Sequence, residues 1–345
     1  MCIMTIALQL VLSVILSIHA CNIVSLAEAS RSNIQTPALT YERKLFERFK
    51  ERYHKRYTGV SEEEFRYEVF KENVRRARML DRSGRIEAEF GVTKFSDLTV
   101  QEFRYHYANA LPSWSFEWAN GVADVPEGGI HSEEFDWRTH GAVTRVKDQG
   151  QCGSCWAFST VANIESQWFL HKGELLSLSE QQLVDCDRTD SGCNGGWMSS
   201  AFRSVMSMGG LESDATYSYH PWRGKCHMDR YQFVAYVNGT INLPRNERKL
   251  AAWLEQKGPI SVAINADLLQ FYTGGILDPL DQNCPSSGIN HAVLLVGFGT
   301  SILETPFWTV KNSWGKDWGE EGYFRIRRGV GACGINKYAI TSIVH

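Results

Sequence analysis

Gln149-Gly150-Gln151-Cys152-Gly153-Ser154-Cys155-Trp156-Ala157-Phe158 sets a cysteine at the point where an apolar helix begins. Downstream of it Phe158, Val161, Ile164, Trp168 and Phe169 recur at helical spacing as far as His171, the pattern of a buried helix. A thiol on the first turn of such a helix meets unpaired N–H groups and the positive end of the dipole, both of which favour thiolate. A thiolate nucleophile needs a base nearby and a group that orients the base. Two later stretches supply these types: Asn290-His291-Ala292 in strand-like surroundings, and Lys311-Asn312-Ser313-Trp314-Gly315 at a strand end.

The cysteine count points the same way. There are nine, and the seven that follow residue 150 are Cys152, Cys155, Cys186, Cys193, Cys226, Cys284 and Cys333. An odd number in a secretory chain means bridges plus one free thiol. Cys155 as a plain buried hydrophobe is the bland alternative. Cys152 and Cys155 as zinc ligands or a redox pair is another, but zinc needs two more ligands at suitable spacing. No metal or organic cofactor is implied.

Working outward, residues 1–19 carry no charged side chain, and small residues follow at Ala20 and again at Ala27-Glu28-Ala29. This is the form of a signal peptide over residues 1–20, with the cut after Ala20 or as late as Ala29. An uncleaved membrane anchor is the alternative, without the basic flank that would support it. Thirty-six basic against 39 acidic residues give a net charge of -3, which argues for neither a nucleic-acid partner nor a membrane-surface patch.

Residues 30–130 hold no cysteine and are dense in both charges. A helix is expected over 41–57, striped by Phe46, Phe49, Tyr53 and Tyr57. A second is expected over 62–80, striped by Phe65, Val69, Phe70, Val74 and Ala77, with Ser61 and Glu64 as a capping box and Glu62 paired to Arg66. Both need another surface to cover their stripes. From about residue 131 Gly, Trp and Cys become frequent. After the helical part, strands are expected over 260–264, 292–297, 308–311 and 323–327. A helical half beside a sheet half, with a cleft between, makes the fold class α+β.

These residues resemble the papain-like cysteine protease family, in its cathepsin L/F group, over nearly all of residues 131–345 and into the upstream region. The resemblance implies a two-part fold, with an antiparallel barrel-like sheet half, preceded by a mainly helical inhibitory propeptide over 30–130. It implies Cys155 as nucleophile, His291 as acid/base partner, Asn312 as orienter of the imidazole, and Gln149 with the Cys155 N–H as oxyanion hole. Trp314 is implied as the indole covering the Asn312–His291 bond, and the bridges as Cys152–Cys193, Cys186–Cys226 and Cys284–Cys333. Substrate would lie along Gly195 and Gly196, with Trp197, Met198, Ala263, Ala292 and Tyr338 lining the pocket two residues before the cut.

The helix pattern Glu62, Arg66, Phe70, Asn73, Ala77 resembles cathepsin precursors, with Ala77 of the cathepsin F-like type and Asp81 of neither common type. The 91–97 segment Gly-Val-Thr-Lys-Phe-Ser-Asp resembles the stretch that follows, with Thr93 in place of the more usual Asn. The implied protein is an endopeptidase acting on proteins or peptides, held latent by its own propeptide, released at acid pH near residues 125–130, and open to cystatin-type inhibitors. Asn238-Gly239-Thr240 is the one glycosylation sequon. The expected location is the secretory route, ending in the lysosome or endosome or outside the cell. The competing reading is a catalytically inactive relative that binds or inhibits.

Overall fold

A computed structural model describes residues 40–82, 87–109, 123, 129–279 and 284–345. The expected signal segment, residues 1–20 or as far as 29, and residues 125–128 of the expected processing stretch lie outside the described residues. The chain forms two units, residues 1–51 and 52–345. The first is described by helix α1 (Tyr41–Arg52), in which Phe46 and Phe49 are buried and stack at 6.0 Å.

The helix expected to reach Tyr57 stops at Arg52. His54 takes a left-handed φ of 51°, which a helix cannot contain. Tyr53 and Tyr57 therefore leave the stripe, and their hydroxyls donate to Val92 O (3.4 Å) and Asp97 Oδ2 (3.0 Å). Helix α2 spans Val60–Asp81 and buries Tyr67, Phe70, Asn73, Val74 and Ala77, while Phe65 is 51% exposed. The expected capping box at Ser61 is absent, because α2 starts earlier and Ser61 already lies in its first turn. Gly59 is the N-cap, and the Thr58 N–H donates to Glu62 Oε2 at 2.7 Å.

Strand β1 (Glu87–Phe90) follows, then helix α3 (Val100–Tyr107). Here the sequence does carry a capping box: Thr99 Oγ1 accepts from Glu102 N, and Glu102 Oε2 accepts from Thr99 N at 2.8 Å. Glu102 also holds Arg66 at 2.8 Å, leaving the expected Arg66–Glu62 pair at 4.0 Å. Asn73 Nδ2 donates to Ser96 O (3.0 Å) and Leu98 O (2.8 Å), so α2 clamps the 93–98 turn through buried backbone carbonyls.

The rest runs β2 (Phe135–Asp136), α4 (Cys155–Lys172), α5 (Glu180–Cys186), α6 (Met198–Met208), β3 (Leu211–Glu212), β4 (Phe233–Ala235), β5 (Gly239–Asn242), α7 (Glu247–Lys257), β6 (Ile260–Ile264), β7 (Tyr272–Leu277), β8 (His291–Thr300), β9 (Pro306–Lys311), β10 (Tyr323–Arg327) and β11 (Ala339–Ile343). The main sheet has the order β1-β7-β10-β9-β8-β6-β11-β5, with β2 beside β8. Pairings are antiparallel except β7 with β10. β8 is buried on both faces. Ala292, Leu294 and Val296 meet the helical side, with Leu294 and Val296 beside Ala162 of α4, while Val293 and Leu295 enter the sheet core with Trp308, Val310 and Phe324. Such packing explains a strand that reads as one apolar run longer than the 292–297 expected.

Helices α4, α5 and α6 form a second core around Trp156, Val161, Ile164, Leu183, Phe202 and Val205. Disulfides join Cys152 to Cys193, Cys186 to Cys226 and Cys284 to Cys333, closing 41, 40 and 49 residues, and Cys155 is free. In the chain-entropy account each contributes roughly 4 kcal/mol.

Candidate active site

Cys155 opens α4 and is fully buried. Its N-cap, Ser154, makes no side-chain cap; its hydroxyl sits 2.8 Å from Tyr219 OH instead. The backbone N–H groups of Ala292, Asn109, Trp156 and Cys155 bond toward the thiol and favour its charged form, yet burial outweighs them and pushes the thiol up to about 11. His291 is the first residue of β8, one position before Ala292. Burial presses its imidazole down to about 4, against the bond from Asn312. In this state thiol and imidazole are both neutral.

Asn312 follows the end of β9. Its Oδ1 lies 2.8 Å from His291 Nε2 and also accepts from Ser313 N at 2.8 Å. An acceptor at Nε2 places that ring's proton there and leaves Nδ1 as the basic nitrogen; Nδ1 is buried with no hydrogen-bond partner. The Trp314 indole stacks on the ring at 4.7 Å and 26°, and so shields the His291–Asn312 bond. Gln149 is buried. Its Oε1 accepts from Ser313 Oγ at 2.7 Å, and its Nε2 donates to Cys152 O at 2.8 Å.

What covers this group is the chain's own upstream segment. Tyr107 O accepts from Gln149 Nε2 (3.4 Å) and Trp314 Nε1 (3.2 Å), and Asn109 lies on the thiol. Asn109 also passes so close to Gly153 that a Cβ there would stand 2.9 Å from its Cβ. Upstream, β1 adds to the sheet edge at β7, Thr93 Oγ1 donates to Gln270 O at 2.6 Å, and Lys94 Nζ donates to Trp314 O at 2.6 Å. Phe95 packs on Trp314 at 5.1 Å, with Phe103 and Tyr107 beside it.

The other expected site residues converge on one side of the thiol. Ala263 faces Ala292 across the β6–β8 ladder, and the Ala263 N–H donates to Tyr338 O at 3.2 Å. Trp197 meets the Tyr338 ring edge-on at 5.1 Å. The Met198 sulfur accepts from Ser159 Oγ at 3.4 Å. Gly195 and Gly196 are buried just ahead of Trp197. Asn238 is far from this group, exposed before the edge strand β5, its side-chain oxygen held by His345 N at 2.8 Å.

Beneath the site lies a charged cluster that sequence reasoning missed. Lys147 Nζ reaches Glu165 (2.9 Å) and Glu180 (2.7 Å), and Lys311, next to Asn312, donates to Thr144 Oγ1 at 2.8 Å. All four charged side chains are buried. A glutamate in a helix with no other charged residue before its last turn, as Glu165 is in α4, was the available signal. Burial works against the Lys147 ammonium, but the two carboxylates outweigh it and hold it charged; burial lowers Lys311 to about 8.

The family described as papain family cysteine protease matches residues 131–343, and the cathepsin propeptide inhibitor domain matches residues 46–103. The chain belongs to the papain family of cysteine proteases. It is 47% identical over 304 residues to cathepsin F of Mus musculus, covering 87% of this chain, and 40% identical over 309 residues to cathepsin F of Drosophila melanogaster, again covering 87%. The chain spans 65% of the length of the mouse protein and 50% of that of the fly protein. Among solved structures it is similar to digestive procathepsin L2 proteinase from Tenebrio molitor larval midgut, with a TM-score of 0.82 and 35% identity, covering 88% of this chain and 100% of that one.

Proposed function

We propose that this chain is the latent precursor of a cysteine endopeptidase that hydrolyses peptide bonds through a thioester on Cys155. The observation that carries the proposal is the segment 93–109, which lies on the thiol and engages Gln149 and Trp314 with one carbonyl, Tyr107 O. A peptide carbonyl held by the Gln149 amide is how an oxyanion hole engages substrate, so the segment occupies the place of a substrate. Once it leaves, water reaches the pair, the burial cost falls, and the proton passes from Cys155 to His291 Nδ1. The thiolate adds to the scissile carbonyl, Gln149 Nε2 and the Cys155 N–H hold the oxyanion, and His291 returns the proton to the leaving amine. Water then resolves the thioester. Residues 1–20, or up to 29, serve as signal, 30–130 as propeptide and 131–345 as mature enzyme. The chain follows the secretory route, and the exposed Asn238 is a site for glycan.

Acid opens the precursor in this reading. Burial raises the Glu102 carboxyl, but Arg66 and Thr99 outweigh it and hold it below its ordinary value of 4.5. A depressed carboxylate stabilises the fold above its unfolded pKa and loses that contribution as pH falls through the folded one. The clamp between α2 and α3 therefore weakens below about pH 4.5. The test is incubation of the full chain at pH 4, followed by an epoxide probe for papain-type thiols and peptide mapping. Shortening to a product starting near residue 131, with label on Cys155, is expected. A chain that stays full length in acid, while enzyme matured by another protease takes the label, would remove acid self-activation; no label on matured enzyme would remove the nucleophile.

The pocket of Trp197, Met198, Ala263, Ala292 and Tyr338 contains no carboxylate to meet a cation. Leu, Val or a compact aromatic two residues before the cut is therefore expected to be used at least tenfold better than Arg, since an unpaired charge in an apolar pocket costs several kcal/mol. A substrate series in which Arg beats Leu at that position sinks this specificity.

A further inference from the structure

Two carboxyl groups, the buried Asp187 and the half-buried Asp190, stand behind the substrate-binding segment. Asp187 closes α5, and its Oδ1 accepts from Thr189 N (2.6 Å) and Asp190 N (3.0 Å). Asp190 reaches forward: its Oδ1 accepts from Trp197 N (2.9 Å) and Ser200 Oγ (2.9 Å). The remaining oxygens, Asp187 Oδ2 and Asp190 Oδ2, are both buried without a donor, although the two side chains lie within hydrogen-bond reach of each other. Bare carboxylates in that arrangement repel, and each leaves a buried oxygen unsatisfied. One proton between them satisfies both oxygens. The segment they hold has little slack. Ser191 N donates to Gly195 O at 2.9 Å, and a Cβ on Gly196 would lie 2.7 Å from Asp190 Cβ and from the Trp156 ring.

We propose that Asp190 is a positioning residue, which while sharing a proton with Asp187 fixes the Gly195–Met198 segment in its substrate-binding place; on losing that proton it is repelled by the Asp187 carboxylate, and the segment, still bonded to Asp190 through Trp197 N and Ser200 Oγ, is drawn off that place with it. The proposal rests on the reading of Cys155 as nucleophile and of this segment as substrate-binding. Burial, then the Asp187 charge, raises the Asp190 carboxyl to about 7, so the proton is held through the acid range and lost on the alkaline side. Arg188, Arg223 and Arg230 line the cavity that Asp187 borders, but among the described residues none of them bonds to either carboxylate. Arg223 donates to the Asp187 backbone carbonyl (3.3 Å) rather than to the carboxylate. Arg188 is exposed, and Asp185, a further acid on α5, is occupied by Tyr217 OH, Gln181 and Gly224 N. Helix α6 presents Trp197 and Ser200, and α4 presents Trp156.

The sign follows from the proton count. Below pH 7 the bound segment is the populated one. The first unit above lowers the competent fraction about fivefold and the next about tenfold, and KM rises in proportion while kcat changes little. Asparagine at 190 reproduces the protonated pair permanently, since its oxygen can accept from Trp197 N and its amide can donate to Asp187 Oδ2. The experiment measures KM and kcat of matured enzyme from pH 5 to 9 for wild type, Asp190→Asn and Asp190→Ala, with a leucine two residues before the cut. In parallel it measures alkylation of Cys155 by iodoacetamide, which needs no pocket. Wild-type KM is expected to rise about fivefold between pH 7 and 8 while Asp190→Asn stays flat, and Asp190→Ala is expected to show a raised KM already at pH 5. The alkylation profiles of wild type and Asp190→Asn coincide. An Asp190→Asn enzyme with the wild-type rise in KM, or one that does not fold, overturns the shared proton. An Asp190→Ala enzyme with wild-type KM at pH 5 overturns the positioning role. Failure of alkylation at Cys155 is a separate result, one that strikes the nucleophile.

Discussion

Replacing Cys155 with serine is expected to lower peptide hydrolysis by a factor on the order of 10⁶, about 8 kcal/mol of transition-state stabilisation. The fold tolerates the change, because the site is buried, the atom count is kept, and the three bridges do not involve residue 155. The loss comes from charge. In the proposed mechanism a thiolate–imidazolium pair begins the reaction already ionised, so His291 needs only an orienting neighbour, the place that Asn312 Oδ1 would fill from 2.8 Å. A serine must be deprotonated during attack, which turns a neutral imidazole into a cation, and Asn312 brings no negative charge to meet it. Among the described residues no carboxylate bonds to His291; only Asn312 and burial act on it. The check is kcat/KM of Cys155→Ser processed in trans and freed of the processing enzyme. Full-length Cys155→Ser incubated alone at pH 4 should also remain intact. Activity within tenfold of wild type would mean that some other group attacks.

How much of this was legible beforehand depended on whether the deciding force was local. The start of α4 at Cys155 and the strands β6 and β10 follow from apolar periodicity and nearby breakers, and their bounds were read to within a residue. Helix α1 was read five residues too long, because the aromatic spacing ran on through His54, whose left-handed φ no periodicity reveals. Phe65 looked like core by spacing, but α2 is turned so that Tyr67 and Asn73 face inward. Asn73 is there for two carbonyls of a turn more than twenty residues away, a tertiary requirement. The box at Thr99 and Glu102 was written in the sequence and overlooked in favour of Ser61 and Glu64, where the spacing was right but the helix began too early. The candidate site divides the same way. Residue types that chemistry demands stood out, whereas Lys147, Glu165, Glu180 and Lys311 did not, since a charged side chain reads as solvent-facing until its partners are placed. Asp190 was hidden for the same reason.

Truncating Phe95 to alanine is expected to loosen the propeptide by about 3–5 kcal/mol and to raise labelling of Cys155 in the unprocessed chain at neutral pH by roughly 10²- to 5 × 10³-fold. Phe95 is 1% exposed, wedged between Trp314 (5.1 Å, edge-on), Phe103 (5.2 Å) and Tyr107 (4.6 Å). The cavity left by its ring would open against Trp314, the indole that lies on His291. It would open equally against Tyr107, whose carbonyl engages Gln149. One ring thus couples the hydrophobic seat of the propeptide to the covering of both reactive partners. The ion pairs between the propeptide and the rest are a weaker candidate for the same role. Arg104 grips Asp267 with two bonds, yet its side chain is 53% exposed, and such pairs contribute about 0–1 kcal/mol. Arg104→Ala is therefore the matched comparison, expected to raise labelling less than fivefold. If Arg104→Ala releases the thiol as fully as Phe95→Ala does, latency is electrostatic and the aromatic seat is only packing. If Phe95→Ala alone releases it, apolar burial holds the segment closed and acid acts by loosening the α2–α3 clamp that keeps Phe95 in its seat.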